Sequence, residues 1–278
     1  MTLPAQPPSG VHNTTPAVAS ASRIYDFFLG GQENYTVDQA AASFALRAFP
    51  WTGRLAKYNR YFLQRLVRYM LQQGITQFLD LGSGLPTLGN VHEVARSAGS
   101  DARVVYVDYE SYAVDRGRQV LADDPHATII AADITRPQEI LEHPEVADLL
   151  DLKEPIGFLV VSVLHFVAPA AKPYEFVETY KKALAPGSVM GVSHGSYDGT
   201  IPRLREQMAE LQRAYDFNVA ENAYSRSQAE IIAFAHGWDM VEPGCVLMPD
   251  WHPDEPAYEP DENDDARLLM HAFAARKP

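Results

Sequence analysis

Four short apolar runs constrain this chain more than any other feature. "TQFLDLG", "ARVVYVD", "ATIIAAD" and "IGFLVVSVL" (76–82, 102–108, 127–133 and 156–164) are rich in Val, Ile, Leu and Phe. Each ends in polar or glycine-rich residues, and helix-like stretches follow at Thr87–Ala98, Tyr109–Leu121, Arg136–Leu150 and Pro173–Leu184. An alternating strand buries one face, whereas a continuous apolar run buries both, as in a parallel sheet covered by helices. "GSVMGVSH" supplies a fifth strand after an "APG" turn. Helices over Ile201–Tyr215 and Ser225–His236 and strands within "GWDMVEPGCVLM" and "ARLLMHAFAAR" complete the pattern. The expected fold is α/β, a doubly wound (Rossmann-like), seven-stranded, mostly parallel sheet. Right-handed crossovers then put any ligand outside the carboxyl ends of the strands, at the point where the strand order reverses.

The N-terminal quarter has a different character. Residues 1–20 are rich in Pro, Ser, Thr and Ala without periodicity and are expected to form a disordered tail. Ser22 is placed to cap a short helix carrying Ile24, Phe27 and Phe28, which Gly30-Gly31 ends. A second helix is expected over Val37–Phe49. A third, Leu55–Gln73, carries Leu55, Tyr58, Phe62, Leu66 and Tyr69 as one buried stripe. The expected organisation is a tail (1–20), a helical cap or lid (21–74) and the α/β domain (75–278), with cap and core as one compact unit.

Bulk properties exclude several functions. The net charge of −13 and pI near 5.1 argue against a protein built to neutralise nucleic-acid phosphates. A single cysteine, Cys245, rules out an internal disulfide or a cysteine-cluster metal site, and the nine histidines show no HExxH spacing, so no metal site is expected. No run approaches the ~18 apolar residues of a membrane span, and no signal peptide is visible, so a cytoplasmic protein with a small-molecule partner is expected.

The chemistry therefore rests on the strand ends. "FLDLGSGLP" carries Asp80 and the turn Gly82-Ser83-Gly84-Leu85. Asp108, with Tyr109 beside it, closes the second strand, Asp133-Ile134 follow the third, and Ser162 to His165 follow the fourth. A dinucleotide site wants G-x-G-x-x-G, but Thr87 stands where the third glycine belongs; the P-loop pattern is absent. An acid at the second strand end accepts from ribose hydroxyls and fits NAD or S-adenosylmethionine equally. Asp133 can accept from an adenine amine while Ile134 packs on the ring. Strand-end aspartates also serve as turn formers, so each alone carries little weight.

This constellation resembles the class I S-adenosylmethionine-dependent methyltransferases. "SRIYDFFLGGQENYTVDQAAA" and "NRYFLQRLVRYMLQQGITQFLDLGSGLPTLGNVHEVAR" extend the similarity to an actinobacterial family of these enzymes long catalogued as a domain of unknown function. The resemblance implies S-adenosyl-L-methionine as cofactor and methyl transfer to an unidentified acceptor. It also sets the N-terminal segment over the cofactor, making Tyr25 a candidate catalytic or cofactor contact and Arg23 or Arg60 a candidate partner of the cofactor carboxylate. His165 is the first candidate for base or acceptor-orienting group and His194 the second. His92 reads as structural. The helix after the glycine turn would offer its N-terminus to the cofactor. Two alternatives stand beside this reading: a non-catalytic cofactor-binding regulator and an NAD(P)-dependent oxidoreductase. The acidic stretch 249–266 reads as a solvated connection or a lid.

Overall fold

The computed structural model describes residues 16–86, 89–196, 198, 200–207, 209–210, 222–252 and 264–278. Residues 1–15 of the expected tail, part of the helix expected over Ile201–Tyr215 and residues 253–263 of the acidic stretch lie outside them.

Three helices lead the chain: α1 (Ala21–Phe28), α2 (Thr36–Ala48) and α3 (Thr52–Gln72). Alternation then sets in with β1 (Gln77–Leu81), α4 (Val91–Ser97), β2 (Arg103–Asp108), α5 (Ser111–Val120) and β3 (Ala127–Ala131). Next come α6 (Pro137–Leu141), α7 (Pro144–Leu149), β4 (Gly157–Val161), α8 (Pro173–Ala183) and β5 (Val189–Gly195). The chain closes with α9 (Gln228–Ile232), β6 (Asp239–Met240), β7 (Val246–Leu247) and β8 (Met270–Arg276).

The strands form one sheet in the order β3-β2-β1-β4-β5-β8-β6, with β7 also paired to β8. The first five pair in parallel, while β8 runs antiparallel to β5, β6 and β7. Among the described residues the sheet thus has eight strands where seven were expected, because "GWDMVEPGCVLM" forms two two-residue strands rather than one. Both faces are covered. On β2, Val104 and Tyr106 enter one apolar core with α3, while Val105 and Val107 enter the other with α8. Each fully buried Val, Leu or Phe contributes about 1.5–3 kcal/mol of transfer free energy, which is why the continuous runs are strands and not loops.

Several local expectations shift. Ser20, not Ser22, caps α1, accepting from Arg23 N at 3.3 Å, and Ala19 and Ser20 are buried although both were assigned to the tail. The helix expected over Arg136–Leu150 is two, because Pro144 cannot continue α6 and instead starts α7. The buried face of α3 is Tyr58, Phe62, Leu63, Leu66, Val67 and Met70, within the sheet's own core. That helix is therefore part of the α/β body, and α1 and α2 form the separate apolar cluster around Ile24, Ala42 and Phe49. The described ends of the acidic stretch are pinned to α3: Arg65 donates to Trp251 O (2.8 Å) and Met248 O (3.1 Å), and Asp264 accepts from Tyr58 and pairs with Arg54. Cys245 is half-buried, and burial pushes its thiol up to about 11, as befits an inert residue. Among the described residues no helix is long and apolar enough to cross a membrane.

Candidate active site

The strand order reverses between β1 and β4, and there, under α1 and α3, lies a cavity of about 690 Å³. That is ample for a nucleoside-sized ligand and a small second molecule. Asp80, Gly82, Ser83, Gly84 and Leu85 line it from β1, Asp108 and Tyr109 from β2, and Asp133 and Ile134 from the β3 loop. Ser162 and His165 line it from the β4 loop, and Tyr25 from α1.

The turn after β1 is bound tightly to β2. Gly82 N and Ser83 N both donate to Val107 O (2.8 and 3.1 Å), and Gly84 N donates to Asp108 Oδ2 (2.7 Å). Gly82 and Gly84 share a left-handed φ of 66°, which L side chains adopt at a cost. Their spatial demands differ. A Cβ on Gly82 would lie 2.2 Å from Val163 Cγ2, whereas one on Gly84 would meet Ser22 Cβ at 3.7 Å, an ordinary contact. At Gly82 it is the β4 loop, not a ligand, that requires the absence of a side chain.

Asp108 accepts one backbone N–H on each oxygen, from Gly84 and from Glu110 (2.9 Å). Glu110, two residues on, accepts from Ser20 Oγ (3.1 Å), Ser22 Oγ and Arg23, tying the start of α1 down beside the cavity. Asp133 Oδ1 accepts from Thr135 N (2.9 Å) and Thr135 Oγ1 (2.8 Å), so it also forms the turn that follows β3. Burial pushes the Asp80 carboxyl up to about 7, Asp108 adds to this, and Arg60 opposes it. Arg60 reaches in from α3, its guanidinium 5.6 Å from the Tyr25 ring centre and donating to Asn90 Oδ1 at 3.3 Å.

The helix after the glycine turn differs from expectation. It begins at Val91, and its first donors have partners: Gly89 N and Asn90 N donate to Glu93 Oε2 (2.7 and 2.9 Å), and His92 N to Tyr106 OH (3.0 Å). A capping box therefore ties down the start of this helix. His92 packs against Tyr106 in the core.

Two expected site residues lie away from the cavity. Arg23 is buried and committed: it pairs with Asp38 (2.9 Å) and Glu110 and donates to Val18 O (2.8 Å), joining α1 to α2 and the β2–α5 loop. His194 is wholly buried on β5. Its Nδ1 donates to Gly195 O (2.8 Å), its Nε2 accepts from Arg226 (2.7 Å), and burial holds the ring down at about 4. Each nitrogen of both side chains has a protein partner.

Arg226 is the residue that sequence reasoning missed. Besides His194 it donates to Leu164 O (2.8 Å) and Val167 O (3.1 Å), while Tyr224 N donates to His165 O (2.6 Å). The loop presenting His165 is thus held from both sides by residues 224–226. Ser162, which starts that loop, sits at φ 60°, a conformation retained where surrounding structure enforces it. Asn59, on α3, donates to Tyr25 OH (3.1 Å) and accepts from Ser193 Oγ (2.6 Å). Tyr25 OH in turn donates to Ala56 O (3.0 Å). His165 Nδ1 and Ser83 Oγ are buried without a hydrogen-bond partner among the described residues. Burial first, then His194 and Arg226, pushes the His165 ring down to about 3.

A glycine turn with three strand-end acids around one cavity at the switch point defines an α/β protein that binds an adenosine-bearing ligand. Residues 9–278 match a family model described as S-adenosyl methyltransferase, and the chain belongs to that family. It is similar to a Thermobifida fusca protein provisionally named a methyltransferase, at 38% identity over 94% of this chain and 95% of that one, TM-score 0.86. It is also similar to a DUF574 family protein from Streptomyces avermitilis, at 32% identity over 94% and 98% of the two chains, TM-score 0.86. A search of curated proteins found no match. The protein is an S-adenosylmethionine-dependent methyltransferase, with S-adenosyl-L-methionine as its cofactor. The cavity fits that group: a buried carboxyl beside Arg60 suits its ammonium and carboxylate, and the unpartnered Ser83 hydroxyl suits a polar ligand.

Proposed function

We propose that this enzyme methylates a small molecule seated in front of His165, with the cofactor held along the ends of β1, β2 and β3. The observation that carries this reading is that one cavity joins Asp80, Asp108 and Asp133 to His165. When bound, S-adenosyl-L-methionine supplies a methyl group made electrophilic by its sulfonium. Asp80 and Arg60 offer opposite charges to the amino-acid end. Asp108, an acid at the end of β2 that lines the cavity, is placed to accept from ribose hydroxyls. Ile134 gives adenine an apolar neighbour.

His165 serves here as an orienting group rather than a base. Moving a proton from a phenol, about 10 as for tyrosine, to an imidazole at about 3 is uphill by on the order of 10 kcal/mol. Its ring, which lines the cavity, can still exchange a hydrogen bond with the acceptor and fix it for in-line attack, an orientation effect. Tyr25, with its hydroxyl spent on Ala56 and Asn59, forms a wall that excludes water.

Thermal unfolding with S-adenosylhomocysteine against NADH tests this. At 100 times its dissociation constant a bound ligand adds about 2.7 kcal/mol of stability. S-adenosylhomocysteine should raise Tm and NADH should not, and Asp108→Asn should shrink the shift. A shift with NADH alone would reverse the assignment.

A further inference from the structure

The cavity is divided by charge along the strand order. Its acidic lining residues, Asp80, Asp108, Glu110 and Asp133, all stand on the β3-β2-β1 side. Among the described lining residues the cation is Arg60, which interacts with Asp80 and Asn90 while its guanidinium lies over the Tyr25 ring at 5.6 Å. Across the switch point the lining comes from the loops after β4 and β5, the start of β8 and the underside of α1 and α3. There Phe28, Leu55, Phe166, Val167, Leu269 and Met270 dominate, and no charged side chain is among the described lining residues.

The nearest buried cation on that side has no share in the cavity. Arg226 is held by His194, Leu164 O and Val167 O and does not line it. The polar side chains of the same end are few: Tyr25 OH, Thr52 Oγ1 and both polar atoms of Asn59 have protein partners, and Ser162, His165, Tyr224 and Ser225 complete the described set.

We infer that the methyl acceptor is an uncharged, largely apolar molecule with a hydroxyl or aromatic amine group directed at His165, and that carboxylates, phosphates and alkylammonium compounds are excluded. The reason is desolvation: an ion entering this end would lose its hydration and find no counter-charge, whereas a neutral molecule gains by burying apolar surface. A hydroxyl or aromatic amine there would give the His165 ring a hydrogen-bond partner, which its Nδ1 lacks among the described residues.

This inference rests on the cofactor occupying the acidic side, and the test separates the two. Protein saturated with S-adenosylhomocysteine is titrated in a calorimeter at pH 7.5 with three probes of equal shape: 2-naphthol, 2-naphthoate and 2-naphthylmethylamine. The expected result is binding of 2-naphthol at least tenfold tighter than either ion. In Leu55→Lys, 2-naphthoate should gain at least tenfold while S-adenosylhomocysteine affinity stays within twofold. Equal or tighter binding of either ion to the wild type, binding of none of the three, or an unchanged preference in Leu55→Lys would overturn the inference. Failure of S-adenosylhomocysteine itself to bind would instead overturn the cofactor reading.

Discussion

Gly82 and Gly84 offer a controlled experiment within one turn, because they share the same φ of 66° and differ in what surrounds them. Alanine at either position takes on the left-handed backbone penalty, about 1–2 kcal/mol. At Gly82 the new Cβ also meets Val163 Cγ2 at 2.2 Å and Val163 Cβ at 2.9 Å, so the β4 loop must shift. Overpacking of this kind costs about 1–3 kcal/mol. Gly82→Ala should therefore lose about 2–5 kcal/mol and Gly84→Ala about 1–2 kcal/mol. At roughly 2–3 °C per kcal/mol for a chain this long, the expected drops in Tm are about 4–15 °C and about 2–6 °C. Val163→Ala in the Gly82→Ala background should recover part of the loss, while alone it destabilises, so the double-mutant cycle should show coupling of about 1 kcal/mol or more. Calorimetric unfolding of the four proteins measures this. Equal losses at the two glycines, or additivity of Gly82→Ala with Val163→Ala, would refute the claim that Gly82 serves the contact between loops.

Asp80 gives a pH signature. Its carboxyl, raised to about 7 in the free protein, is protonated below that value although the unfolded chain is ionised above about 4, so its contribution to stability falls as pH rises from about 4 to about 7. Binding a ligand ammonium favours the ionised form, so calorimetric affinity for S-adenosylhomocysteine should weaken by up to tenfold per unit below about pH 7 and level off above it. Asp80→Asn should abolish that slope; a slope that persists would remove Asp80 from the ammonium site. His165, at about 3, stays neutral across pH 5–9, so turnover should show no inflection from it there, and His165→Gln should retain at least a tenth of kcat while His165→Ala falls further. Equal kcat values for the two variants would argue against an orienting hydrogen bond. Arg226→Met should lower kcat at least tenfold through the loop at 164–167 and leave S-adenosylhomocysteine affinity within twofold, with Arg226→Lys between it and the wild type. Unchanged kcat would show that the anchor is not needed.

Sheet and strand-end acids were legible because both follow from local rules: buried strands must be apolar throughout, and ligands meet the carboxyl ends. The capping box of α4 was equally local, since Asn90 stands three residues before Glu93, yet the apolar pattern drew the helix start back to Thr87. The break at Pro144 was visible for the same reason. Arg23 and His194 could not be judged this way. Their partners are Asp38 and Glu110 in one case and Arg226 in the other, and only the folded chain brings these together. Arg226 itself carries no sequence signal, for it lies on a connecting segment and acts on backbone carbonyls of a distant loop.

A crystal structure of the enzyme with S-adenosylhomocysteine tests the central claim most directly. The predicted result is density within the cavity at the β1–β4 switch point, its amino-acid end against Asp80 and Arg60, its ribose against Asp108 and its adenine beside Asp133 and Ile134. Density elsewhere on the protein, or a ligand reversed so that adenine meets Asp80, would contradict it.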